Sequence, residues 1–157
     1  MKPNLHPLAL LFAALLVCGC ATRPPAPSPA SASAPVLRPE RGQVWQLVAL
    51  RGRDVSRSSA PVTLEFTPDA FSLKGHAQCN DYYADCRMRW LRSDPDGDRY
   101  SLSVSALVGG KVMCPEPAMN ADSRYLALLA KADEMLLSAY TLVLYSRGRE
   151  VLKFELL

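Results

Sequence analysis

Histidine is scarce in this chain. Its 157 residues include only His6 and His76, and its five cysteines form no CxxC pair. Zinc sites usually assemble four Cys or His ligands at short paired spacings, so no metal site is expected. A Ser-His-Asp set has only His76 to draw on once the N-terminal segment is set aside. There is no glycine-rich phosphate loop and no carboxylate pair with a distinctive spacing. The chain therefore offers no sign of catalysis, and no cofactor is implied. Charge of one sign is lacking too: 18 Lys and Arg stand against 15 Asp and Glu. They are interspersed, which gives nucleic acid no basic stripe to bind. Long apolar runs are also missing, since Leu8 to Val17 is ten residues and a bilayer span needs about 20.

That short apolar run has a different use. It follows Lys2 and closes on Leu16-Val17-Cys18-Gly19-Cys20. A positive start, a short apolar core and a small residue before the cut describe a secretory signal. The cysteine directly after Gly19 makes it look like a bacterial lipoprotein signal. Residues 1–19 are then the signal peptide, and Cys20 carries the lipid. Ala21, rather than aspartate, follows Cys20 and points to the outer membrane. Residues 20–41 hold six prolines among alanines and serines and are expected to form an extended tether. The remaining residues, 42–157, suit one domain with one core.

An exported chain meets an oxidising environment. Cys79, Cys86 and Cys114 remain in the domain and allow three pairings, each leaving one thiol over. His76 and Cys79 do not read as base and nucleophile, because residues three apart in a strand face opposite ways. Asp94-Pro95-Asp96-Gly97-Asp98 looks at first like a calcium loop. It lacks the glycine and glutamate that an EF-hand needs at its sixth and twelfth positions, and Asp-Gly suits a hairpin turn. Arg87 and Arg89 are expected on a solvated outer sheet face.

Apolar periodicity gives the elements. Trp45 to Leu50 reads as a buried strand. Val62, Leu64 and Phe66 alternate with polar residues, Pro68-Asp69 marks a turn, and Phe71, Leu73 and Gly75 continue the pattern, so 61–76 is a hairpin. Cys86, Met88 and Trp90 form one strand face, and 93–99 a polar turn. Tyr100, Leu102, Val104 and Ala106 alternate with serines as the clearest strand. The period changes after Pro115 and Pro117. Tyr125, Leu128, Leu129 and Ala132 form a helical stripe, predicting a helix over 120–135 capped by Asn120 or Asp122. Tyr140 to Tyr145, a turn at Arg147-Gly148 and Val151 to Leu156 close a last hairpin. Segregated elements predict an α+β fold, with an antiparallel sheet that one helix covers or plugs.

Several of these residues together resemble the META domain family, which includes HslJ-like bacterial lipoproteins. They are the Trp45-Gln46-Leu47 opening, Gly75 followed by Cys79-Asn80-Asp81-Tyr82, and Lys111-Val112-Met113-Cys114. Asp122, Tyr125 and Leu129 match the family's helix, and Leu142, Leu144, Gly148, Leu152 and Phe154 its closing hairpin. The chain departs from the pattern at Ala84, near where a glycine is common, and at Gly110, where threonine is usual. The resemblance implies a strongly curved antiparallel sheet, a half-open barrel, packed on one helix. It also implies a Cys79–Cys114 disulfide. Cys86 is then left over, either a reactive thiol or, as expected of a small buried hydrophobe, inert. The motif positions it marks are Trp45, Gly75, Asn80, Lys111 and Tyr125.

The functional expectation is a non-enzymatic, lipid-anchored protein on the periplasmic face of the outer membrane, serving envelope maintenance or stress tolerance. Its partners would be the membrane, through the anchor, and a small apolar ligand in the groove between sheet and helix, near Tyr125 and Leu129. The alternative is a protein-binding module, such as a lysozyme inhibitor or an assembly helper for an envelope complex. A redox enzyme using Cys86 would require a lowered thiol pKa.

Overall fold

The computed structural model describes residues 38–40, 42–58, 60–67 and 72–157. The signal over 1–19, Cys20 and almost all of the tether lie outside the described residues, as do Pro68-Asp69 and Phe71. The elements run β1 (Val44–Leu50), β2 (Arg53–Asp54), β3 (Thr63–Phe66), β4 (Ser72–His76), β5 (Asp81–Asp94), β6 (Gly97–Gly109), α1 (Glu116–Leu129), β7 (Glu134–Leu137), β8 (Thr141–Ser146) and β9 (Arg149–Leu156). Every pairing is antiparallel, in the order β1-β3-β4-β5-β6-β7-β8-β9, and β9 returns to β1. Among the described residues this is a strongly curved sheet closed into an eight-stranded barrel, with β2 a spur on β1. The α+β class and the antiparallel sheet on one helix are as expected.

Strand alternation builds the core. Trp45 and Leu47, Leu64 and Phe66, Tyr82, Ala84 and Cys86, Tyr100 and Leu102, Leu142 and Leu144, and Leu152 and Phe154 are all buried in one cluster. Most of their strand neighbours are more exposed, as the period of two requires, whereas Val143 and Val151 are buried as well. Tyr125, Leu128 and Leu129 of α1 join the same cluster, so the helix stoppers the barrel rather than lying on its outer face.

The helix begins and ends earlier than the periodicity predicts. Pro115 is its N-cap residue and Pro117 falls in its first turn, where a missing N–H costs nothing. Neither Asn120 nor Asp122 caps it: Asn120 Nδ2 donates to Glu116 Oε1 at 3.4 Å, and Asp122 is buried one turn further in. Beyond Leu129 the chain tightens, Ala132 N–H donating to the Leu129 carbonyl, and Asp133 N–H then joins Tyr145 O. Ala132 thus keeps its buried place outside the helix. Met135, Leu136 and Leu137 lie in β7, because a short continuous apolar run has no period that could type it.

Two other boundaries differ. The turn expected over 93–99 shrinks to Pro95-Asp96, with Asp94 paired to Gly97. Ala106 is exposed, not buried. Its φ of 49° accompanies a register shift against Tyr83–Asp85, so a bulge reverses the alternation and turns Leu107 toward the core. That bulge falls beside Ala84, one of the two departures from the family pattern.

Gly75 shows what the tight barrel demands. A Cβ there would stand 2.0 Å from the Thr63 carbonyl oxygen and 2.8 Å from the Tyr82 hydroxyl. Backbone cannot yield as a side-chain tip does, so β3 and β4 can approach only through a glycine. Gly75→Ala is expected to cost about 3 kcal/mol or more, read as a lowered midpoint in urea. An unchanged midpoint would mean that the strands part without loss.

Candidate functional site

The motifs that resemble the family pattern converge on the junction between α1 and the start of β5. Asp122, 6 % exposed, points from the helix into the Cys79-Asn80 turn. Its Oδ1 accepts the Cys79 N–H at 3.0 Å, and its Oδ2 accepts the Asn80 N–H at 3.1 Å and Asn80 Nδ2 at 3.3 Å. The Asn80 side chain then takes both backbone groups of Val112: Val112 N–H donates to Oδ1 at 2.8 Å, and Nδ2 donates to the Val112 carbonyl at 3.3 Å. Cys79 and Cys114 are joined as a disulfide. Gly110 lies so close that a Cβ would meet Asn80 Oδ1 at 2.7 Å.

Beneath this clamp runs a buried hydroxyl chain. Tyr82 OH donates to the Thr63 carbonyl at 2.9 Å. Its single proton is thereby used, so Tyr125 must donate to Tyr82 across their 2.7 Å contact. Burial pushes both hydroxyls above the ordinary tyrosine range, which keeps them neutral donors. The two rings meet edge-on at 5.5 Å, and Tyr125 meets Phe154 at 6.4 Å.

Of the expected positions, the structure therefore brings Gly75, Cys79, Asn80, Cys114 and Tyr125 into one connected assembly. Trp45 lies in the barrel core at 1 % exposure. Lys111 is exposed, beside exposed Val112 and Met113. Cys86 is buried and outside the disulfide. His76 faces Asp81 at 2.9 Å. Among the described residues, no group of three His, Cys, Asp or Glu could hold a metal. Asp94 lies in an ion-pair cluster with Arg92 and Arg99, and Arg99 also reaches Glu134.

Next to the hydroxyl chain the barrel wall opens. The edge of β1 is shared: β3 pairs with Val44 to Gln46, and β2 with Ala49 and Leu50. Between those partners, among the described residues, Val62 reaches the edge, its carbonyl accepting the Leu47 N–H at 2.8 Å. A cleft of about 440 Å³ lies there, lined by Leu47, Leu50, Val55 and Val62 with Ala121 and Tyr125 of the helix. Asp54, Arg57, Ser58 and Gln78 complete its lining. Asp54 is held below the usual carboxylate range by hydrogen bonds from the Ser56 hydroxyl and N–H, with a smaller contribution from Arg57. Asp54, Val55, Arg57 and Ser58 of the lining carry no periodic signal, and Tyr125 lies beside the groove as expected. Leu129, expected beside it, is fully buried in the core instead.

Asp122→Ala strands two partly buried backbone donors and is expected to cost about 2 kcal/mol. Cys114→Ser releases a 35-residue separation and is expected to cost about 4 kcal/mol in the chain-entropy model. Chemical denaturation measures both, and equal stability of either variant to the parent would remove that element from the clamp.

Residues 38–156 match the family model described as META domain. Among solved structures, an NMR structure of a protein from Burkholderia xenovorans superposes with a TM-score of 0.54 at 20 % identity, covering 86 % of this chain and 99 % of that one. A second NMR structure gives 0.53 at 18 % identity, covering 77 % and 96 %. At such identities the likeness is one of fold. No curated protein matches the chain in sequence. The sequence motifs, the barrel stoppered by one helix and a family model spanning most of the length lead to one assignment: the chain belongs to the META domain family.

Proposed function

We propose that this META domain is a non-enzymatic binding module that takes an apolar ligand in the cleft between β1 and α1. One observation carries the reading. The cleft is lined mainly by apolar side chains and has a volume of about 440 Å³, within the range of small-molecule sites. Water along the apolar wall of Leu47, Leu50, Val55, Val62 and Ala121 finds few partners, so an apolar ligand displaces it there at little cost. The signal-like segment ending at Cys20 supports export and lipid anchoring, and Ala21 supports the periplasmic face of the outer membrane. A role in envelope maintenance or stress tolerance follows from that placement. Export and anchoring rest on sequence alone.

A second reading, as a protein-binding module such as a lysozyme inhibitor or assembly helper, has its own support. Val108, Val112 and Met113 are 60 %, 64 % and 84 % exposed and follow closely along the chain beside the disulfide. Apolar side chains grouped at the surface favour a partner.

The test uses the apolar fluorophore N-phenylnaphthylamine with the full chain. Saturable enhancement is expected, reduced at least about tenfold in affinity by Ala121→Phe, which fills the cleft from the helix. Unsaturable fluorescence, or binding indifferent to Ala121→Phe, would rule the cleft out and shift weight to the exposed apolar surface. Cys20→Ser is expected to move the protein from the membrane fraction to the soluble periplasm. A membrane fraction unaffected by that change would overturn the anchor.

A further inference from the structure

Two hairpins of this barrel carry the same Arg-Gly-Arg sequence. Arg51-Gly52 joins β1 to β2, which opens on Arg53, and Arg147-Gly148 joins β8 to β9, which opens on Arg149. Each is a two-residue hairpin: Leu50 pairs with Arg53, and Ser146 with Arg149. In each the arginine and the glycine both have positive φ, 49° and 74° in the first and 53° and 72° in the second. Such turns favour asparagine, aspartate or glycine at the first position, because a longer side chain with a Cβ is strained there. An arginine in the same unfavourable place twice is an outlier that calls for a function.

Both turns open on one cleft. It measures about 540 Å³, and Arg51, Arg147, Arg149 and Lys131 line it with Glu150. Asp133 lies in the adjoining hollow, and its Oδ2 accepts the Arg147 N–H at 2.9 Å. The Arg51 N–H is fixed on the Val151 carbonyl at 2.9 Å. Among the described residues, no carboxylate lies within ion-pair distance of any of these four cations. Lys131 has an ordinary place just past the helix C-terminus, where a cation is favourable. The three arginines have no such reason to converge. A planar guanidinium matches the oxygens of phosphate in a two-point contact, and the anchored turn backbones fix where the arginine side chains start.

We propose that this cleft is a binding site for a multiply charged oxyanion of the phosphate class, separate from the apolar cleft. The chemistry is shared by a soluble diphosphate and by the headgroup of an anionic lipid, and the experiment separates them.

The full chain is titrated with inorganic pyrophosphate at low ionic strength, following backbone amide shifts. Saturable shifts are expected at Arg51, Gly52, Lys131 and Arg147 to Glu150, weakening as salt is added. The decisive variant is Arg51→Asn with Arg147→Asn. Asparagine suits both turns better than arginine, so the fold is retained or stabilised, while affinity is expected to fall at least about tenfold. A second arm adds vesicles of phosphatidylglycerol, with phosphatidylcholine as control. Binding lost with the double variant in the vesicle arm identifies a headgroup, and loss in the pyrophosphate arm alone identifies a soluble anion. No saturable binding in either arm, or binding that the folded double variant keeps, would overturn the proposal.

Discussion

One carboxylate holds the helix of this domain to its sheet. Asp122 accepts the backbone N–H groups of Cys79 and Asn80, which begin the turn into β5 and have no ladder partner of their own. Hydrogen bonds to a charged acceptor are roughly twice as strong as neutral ones, and these are largely shielded from water. Asn80 passes the constraint on to Val112, and the Cys79–Cys114 disulfide closes the same loop covalently. With α1 fixed at this point, Tyr125, one helical turn on, meets Tyr82 and through it the Thr63 carbonyl. The chain Asp122, Tyr125, Tyr82, Thr63 thus ties the helix to β5 and β3. Gly75 is the residue that leaves room for its last link.

The apolar cleft is a consequence of that docking together with an irregularity in β1. A strand that shared its whole edge with one neighbour would leave no opening. Here β1 passes from β3 to β2, and its ladder with β9 shifts register between Leu47 and Ala49. The gap between β2 and β3 is bridged by a connection rather than by a strand. Gln78 helps to hold that connection, donating to the Ser58 hydroxyl and to the Ala60 carbonyl at 3.0 Å. The helix supplies the remaining wall through Ala121 and Tyr125. The cleft therefore opens where β1 leaves β3, with the side chains of α1 as its far wall.

How far the sequence could be read follows from what each segment's physics makes visible. Alternation over Val62 to Phe66 and Tyr100 to Leu102 revealed both the strands and their buried faces. The helix was legible in its apolar stripe, and its limits were not. Pro115 and Pro117 were read as preceding the helix, although proline belongs in a first turn. Asp122 was read as a cap because aspartate near a helix start usually is one. Its real acceptor role lies across the fold, with partners some forty residues away, which no local pattern encodes. β7 was missed for a different reason: Met135 to Leu137 is apolar on both faces and carries no period. The disulfide came from family resemblance, since three cysteines alone leave three pairings. The two clefts were legible least, because each is lined by turns and connections whose convergence only the closed barrel creates.

Leu50 and Arg51 are consecutive, yet one lines the apolar cleft and the other the basic one. The reason is local geometry. Leu50 ends a strand whose side chains alternate, and Arg51 opens the two-residue turn that it forms with Gly52, both at positive φ, to reverse the chain. The same pairing recurs along the helix. Ala121 and Tyr125 face the apolar cleft, while Leu128, about 10 Å beyond Ala121 at 1.5 Å per residue, and Lys131 just past the helix line the basic one. Both sites therefore depend on the same two supports, the β1–β2 hairpin and the placement of α1. A change that loosens Asp122 from the Cys79-Asn80 turn would displace one wall of each cleft together. A change confined to the side chains of Arg51 and Arg147 removes charge from the basic cleft and leaves the walls of the apolar cleft standing. That difference makes the two binding chemistries separable in a single fold.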